Sequence, residues 1–183
     1  MKGIEYFLRY TDWVNAKFGW FVAFLMCPMI FIMIWEIMMR YLLNRPSIWA
    51  YETSLFIYGG YIVLGGAYTL LTDGHVNVDI IWGQLSVRGR AILDICTAGF
   101  VFLYLGVLFW ESLLVTITAW ELKETTMTFW APPYYPLRTT VPVGCFLFIL
   151  QALAKLIRDI LTAIRGKEVF PTGITSVDNN IKE

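Results

Sequence analysis

A charge set inside an apolar run is expensive in a membrane and is retained where it pairs, binds or moves something, so such residues are the first places to look for chemistry. Glu36, Arg40, Glu52, Asp94 and Glu111 all meet that description. Glu36 and Arg40 are four apart and share a helix face. Arg40 closes one apolar block and Glu52 opens the next, where the helix dipole favours a cation and an anion respectively. Their types and spacing suit the pinning of a hairpin or a partner helix, or contact with a transported ion or another protein. Asp94 lies in the first turns of a third block. Glu111 lies two-thirds along it, above the lipid if that helix projects. Asp73, His75 and Asp79 offer one imidazole and two carboxylates without fixed metal-ligand spacing, which suits capping and interfacial hydrogen bonds better than a metal site. Cys27, Cys96 and Cys145 are isolated within apolar runs and read as small core residues. A lone histidine excludes bis-histidine haem ligation. With no phosphate loop or nucleophile elbow, neither an enzyme nor a cofactor is expected.

The elements that hold these residues follow from composition. Of 183 residues 58% are hydrophobic and 15% charged, and the formal net charge is zero. The apolar residues form uninterrupted blocks, and there is no basic surplus for nucleic acid. The pattern predicts an all-α integral membrane protein with four tilted transmembrane helices at about 18–39, 48–71, 91–120 and 139–157. Pro142 is expected in the first turn of the last helix. The first block, lacking a cleavage site, should be retained as an anchor. Gly59, Gly60, Gly65 and Gly66 should form a helix contact face. Residues 1–17 read as a separate amphipathic helix at the interface, with Ile4, Phe7, Leu8, Val14 and Phe18 as its apolar stripe and Lys2, Glu5, Arg9 and Asp12 on other faces. A second short interfacial helix is expected around Val78, Ile81, Trp82 and Leu85, before Ser86 caps the third span. The three prolines between residues 121 and 138 predict a stiff, partly buried turn. Residues 18–168 form the membrane domain, and 169–183 read as a disordered cytoplasmic tail.

Four spans place both termini on one side. Lys2, Arg9, Lys17, Arg88, Arg90, Lys155, Arg158, Arg165 and Lys167 flank that side, against Arg40, Arg45, Lys123 and Arg138 on the other. Nine cations against four make the termini cytoplasmic by the positive-inside rule.

Met39-Arg40-Tyr41-Leu42-Leu43-Asn44-Arg45-Pro46-Ser47-Ile48-Trp49-Ala50-Tyr51-Glu52, then Gly65-Gly66-Ala67-Tyr68, then His75-Val76-Asn77-Val78-Asp79, together resemble the small membrane subunit of TRAP (tripartite ATP-independent periplasmic) transporters, the DctQ-like family. The resemblance implies a bacterial inner-membrane uptake system in which this subunit braces a large membrane subunit. It also implies that a periplasmic substrate-binding protein delivers an organic acid, and that sodium binds the large subunit. Carried over position by position, Arg40, Trp49, Glu52, Gly65, His75 and Asp79 become structural or interface residues. Glu36, Arg45, Trp130, Tyr134, Tyr135 and Arg138 become candidates for docking the binding protein. The rival reading is an autonomous homo-oligomeric proton-coupled carrier or channel using Glu52 or Asp94.

Overall fold

The computed structural model describes residues 2–72, 74 and 86–166; Asp73, His75, Asp79, the expected short helix before Ser86 and the tail 169–183 lie outside them. Long apolar runs give long helices because only internally hydrogen-bonded segments satisfy their backbone in lipid. The helices are α1 (Lys2–Phe24), α2 (Met26–Tyr41), α3 (Ala50–Leu71), α4 (Val87–Glu121) and α5 (Tyr135–Arg165). Four stretches, Gly3–Tyr41 and the three helices that follow it, are long and apolar enough to cross a membrane. This is an all-helical membrane protein.

α5 is the central element, with α4 and α3 packed on it and α1 packed on both α3 and α5. Bulky residues such as Trp20, Phe31 and Phe100 stay exposed on the outer faces, as lipid contact requires. Glycines set the closest approaches. A methyl on Gly144 would sit 2.7 Å from the Val63 carbonyl oxygen, and one on Gly19 would enter the Tyr68 ring. The expected glycine face of α3 is used on two sides, Gly65 lying toward Val22 of α1 and Gly66 toward Phe148 of α5. Gly19 and Gly144 are missed by a reading that looks for glycine pairs.

The N-terminal segment differs from expectation. Helix α1 runs through residues 17 and 18 without a break, so residues 2–17 extend the first span and do not form a separate element. The interruption falls at Leu25, three residues before Pro28, whose ring displaces the Phe24 carbonyl and whose nitrogen cannot donate to it. The buried face is Leu8, Thr11, Asp12, Asn15, Ala16, Gly19 and Val22. Ile4 and Phe18 of the expected stripe are exposed, at 45% and 38%. In a bilayer the apolar side of a helix need not face the protein, and small and polar residues make the contacts.

α4 and α5 begin and end beyond the expected spans, whereas α3 starts two residues inside the expected 48–71 and ends with it. α4 starts at Val87, with the Ser86 hydroxyl accepting from the Gly89 amide at 3.2 Å as its cap. α5 starts at Tyr135 with Pro136 in its first turn, so Pro142 lies inside the helix, not at its start. A proline there leaves the carbonyl four residues back, that of Arg138, without its helical donor. The buried Thr116 hydroxyl of α4 donates to that carbonyl at 3.1 Å.

The start of α1 and the end of α5 share one end of the bundle. There Arg88 donates to the carbonyls of Ala163 and Ile164 at the close of α5, at 2.7 and 3.2 Å. Asp94 pairs with Lys155 at 3.0 Å. Asp12 and Arg158 form a buried ion pair, Gln151 donates to Asp12 at 3.1 Å, and Asn15 donates to Gln151 at 2.7 Å.

Candidate functional site at the loop end

Most of the residues singled out by sequence converge at the opposite end, where two connections, 42–49 and 122–134, meet. The first is held by Glu36. Its carboxylate accepts from Arg40 Nε and Nη2 at 3.1 and 2.7 Å, and from the Ser47 amide at 3.1 Å and the Ser47 hydroxyl. Glu36 is 7% exposed, so it acts as an internal post that folds the Asn44–Ser47 turn back onto α2. The turn passes through Asn44 with φ 50°, a conformation asparagine tolerates. Arg45 remains exposed. Trp49 is the N-cap residue of α3 and is 39% exposed.

The second connection is a short hairpin. Thr125 and Pro133 form an isolated antiparallel bridge, with the Thr126 amide donating to the Pro132 carbonyl at 3.1 Å and the Tyr134 amide to the Glu124 carbonyl at 2.8 Å. Pro132 is buried beneath it. Arg138 from α5 locks the base, donating from Nη2 to Glu124 Oε1 at 2.9 Å and lying 5.1 Å above the Tyr134 ring. Tyr134 also packs on Phe56, ring centres 5.7 Å apart, and Tyr135 on Trp120 at 4.5 Å. The Trp120 indole donates to the Thr139 hydroxyl at 2.9 Å.

Glu52 joins the two connections. It sits in the first turn of α3 and accepts from the Thr126 hydroxyl at 3.2 Å. The Thr126 hydroxyl is in turn 2.9 Å from that of Thr128. The result is one surface in which Glu36, Glu52 and Glu124 are tied to neighbouring groups and an apolar tip is turned out. Met127 and Phe129 are fully exposed, Leu122 is 73% and Trp130 42% exposed. Burying Pro132 while projecting Met127 and Phe129 costs the tip its own core, which favours a surface that meets another molecule.

The expected docking residues therefore separate into two groups. Glu36, Tyr134, Tyr135 and Arg138 are struts within the platform, while Arg45 and Trp130 are exposed on it, as are Met127 and Phe129, which residue type and spacing do not single out. Their signal is a pair of apolar residues in a polar, proline-rich loop, a pattern that by itself predicts partial burial. Gly65 belongs to a helix contact and not to this end. Among the described residues no group of three His, Cys, Asp or Glu side chains gathers in metal-binding fashion. The two alternative carboxylates of the carrier reading lie at opposite ends of the bundle and each is engaged within the chain, Glu52 by Thr126 and Asp94 by Lys155.

A family model described as tripartite ATP-independent periplasmic transporters, DctQ component, matches residues 29–162. Among curated proteins, the chain is 23% identical over 121 residues to the C4-dicarboxylate TRAP transporter small permease protein DctQ of Vibrio cholerae serotype O1, covering 63% of this chain and 52% of that one. It is 29% identical over 69 residues to the sialic acid TRAP transporter small permease protein SiaQ of the same organism, covering 38% and 40%. The chain thus matches about half of the first relative's length and less of the second's.

Proposed function

The chain belongs to the family of DctQ components of tripartite ATP-independent periplasmic transporters, and from that premise we propose that it is the small accessory permease subunit of such a system. It braces a large membrane subunit and presents the platform of residues 36–52 and 122–138 to a substrate-binding protein. Transport is sodium-coupled, the sodium binding to the large subunit. The substrate is an organic acid, a class to which the substrates named for both relatives belong. The site is the bacterial inner membrane, with both termini cytoplasmic, as supported by nine cations flanking one face against four on the other.

The observation that carries this reading is the division of labour in the platform. Four of its charges form two internal pairs, Glu36 with Arg40 and Glu124 with Arg138, Arg45 and Lys123 are exposed, and Met127 and Phe129 are left fully exposed. In reconstituted complex, the double substitution Met127→Ser with Phe129→Ser should raise the concentration of binding protein needed for half-maximal uptake by roughly ten-fold, the scale of losing an apolar interface anchor. Recovery with the large subunit should be unchanged. Unaltered dependence on binding-protein concentration would exclude the tip as the docking surface.

A further inference from the structure

Glu111 carries a charge at a depth where the neighbouring helices carry none. Its level is bracketed by two contacts of α4 with α5: the Thr116 hydroxyl on the Arg138 carbonyl at 3.1 Å, and the Phe109 ring 6.4 Å from that of Phe146. It is thus level with the stretch of α5 after Arg138 that has no charged residue until Lys155. At this depth α5 meets α3 through Gly144 and Val63. Five residues separate Glu111 from Thr116, placing it about 8 Å inside the level of Arg138. α4 continues for ten residues beyond it, to Glu121.

The side chain points away from the bundle. Glu111 is exposed and has no hydrogen bond or ion pair among the described residues. Its neighbours on the outer surface, Val107, Trp110 and Leu114, are 57%, 63% and 46% exposed, and nothing packs against the open surface of Gly106. Glutamate is too short to lift its carboxylate to the interface as lysine or arginine would. An isolated carboxylate facing hydrocarbon is costly, so its retention calls for a donor brought from outside the chain.

We propose that this face of α4 is where a membrane helix of the large subunit packs, bringing a lysine or arginine to Glu111 at this depth. The inference rests on the accessory-subunit reading and adds the face and the contact. A second copy of this chain in the same orientation fits poorly, because among the described residues no cation lies at that level and the copy would bring another carboxylate. Gly106, one turn before Trp110 at the edge of this face, lets the partner backbone come close.

The test uses the full chain co-expressed with the large subunit carrying the affinity tag. Glu111→Leu should lower recovery of the chain by roughly ten-fold or more, because the partner's cation is then left unpaired at depth. Glu111→Gln, which keeps a hydrogen-bonding head, should fall between. The purified chain alone should melt at or above the wild-type temperature when it carries Glu111→Leu, since no internal contact is lost. Photo-crosslinking residues at positions 107 and 114 should join the large subunit. Equal recovery of wild type and Glu111→Leu, crosslinks to lipid only, or a lowered melting temperature for the isolated variant would each overturn the proposal. Failure of the wild-type chain itself to co-purify would overturn the accessory-subunit reading and this inference with it.

Discussion

Asp12 and Glu111 have changed places relative to what their sequence settings suggest. Asp12, set among alternating charges near the N-terminus, reads as a solvated residue on an amphipathic helix, yet it is 2% exposed and ion-paired with Arg158 on the last helix. Its partner lies 146 residues away, a separation no local pattern reveals. The amides of Gln151 and Asn15 complete the arrangement by donating in series toward the carboxylate. The Glu36 and Arg40 pair was legible because it is local, four residues apart on one face, whereas the Ser47 contribution was not, because it depends on how the following turn folds back. Buried pairs add little net stability but are costly to break from one side. Arg158→Ala should therefore lower the stability of the chain by about 3–5 kcal/mol, read as a loss of thermal midpoint in detergent. Replacing Asp12 and Arg158 together by Asn and Leu should recover much of that loss. A single substitution that leaves the midpoint unchanged would show that the pair does not hold α1 to α5.

At the scale of elements, both interior prolines act through the carbonyl four residues earlier. Pro28 accompanies the break at Leu25 that divides the first span into α1 and α2. Pro142 is tolerated in mid-helix because Thr116 supplies the donor that the ring removes. Charge-free runs made the existence of the four spans legible, but not their ends. α5 begins four residues before the block that signals it, because Pro136 suits a first turn and Tyr135 packs on Trp120. The glycines were legible as contact residues in α3, while Gly144, which lets α5 touch the backbone at Val63, stands alone in its helix and gives no pattern. Thr116→Val should cost about 1–3 kcal/mol by leaving the Arg138 carbonyl buried and unpaired. In a Pro142→Ala background, where the helix supplies its own donor, the same substitution should cost much less. An equal cost in both backgrounds, measured by thermal unfolding, would mean that Thr116 acts through packing and not through the carbonyl.

For the whole molecule, composition alone separates a membrane protein from a soluble domain, and the order of short motifs from Arg40 to Asp79 points to the family. The platform at the loop end was only partly visible. Glu52, Tyr134 and Arg138 could be named as candidates, but which of them brace the surface and which meet a partner depends on three-dimensional closure of residues 42–49 against 122–134. The exposed tip at Met127 and Phe129 and the outward Glu111 are surfaces that the chain's own bundle leaves uncovered. That arrangement fits a subunit completed by others. The most direct measurement reconstitutes the large subunit and the binding protein in liposomes under a sodium gradient, with and without this chain, and the chain alone beside them. The account predicts substrate uptake only when all three proteins are present and none from this chain by itself. Uptake of equal rate without this chain, or flux through this chain alone, would contradict it.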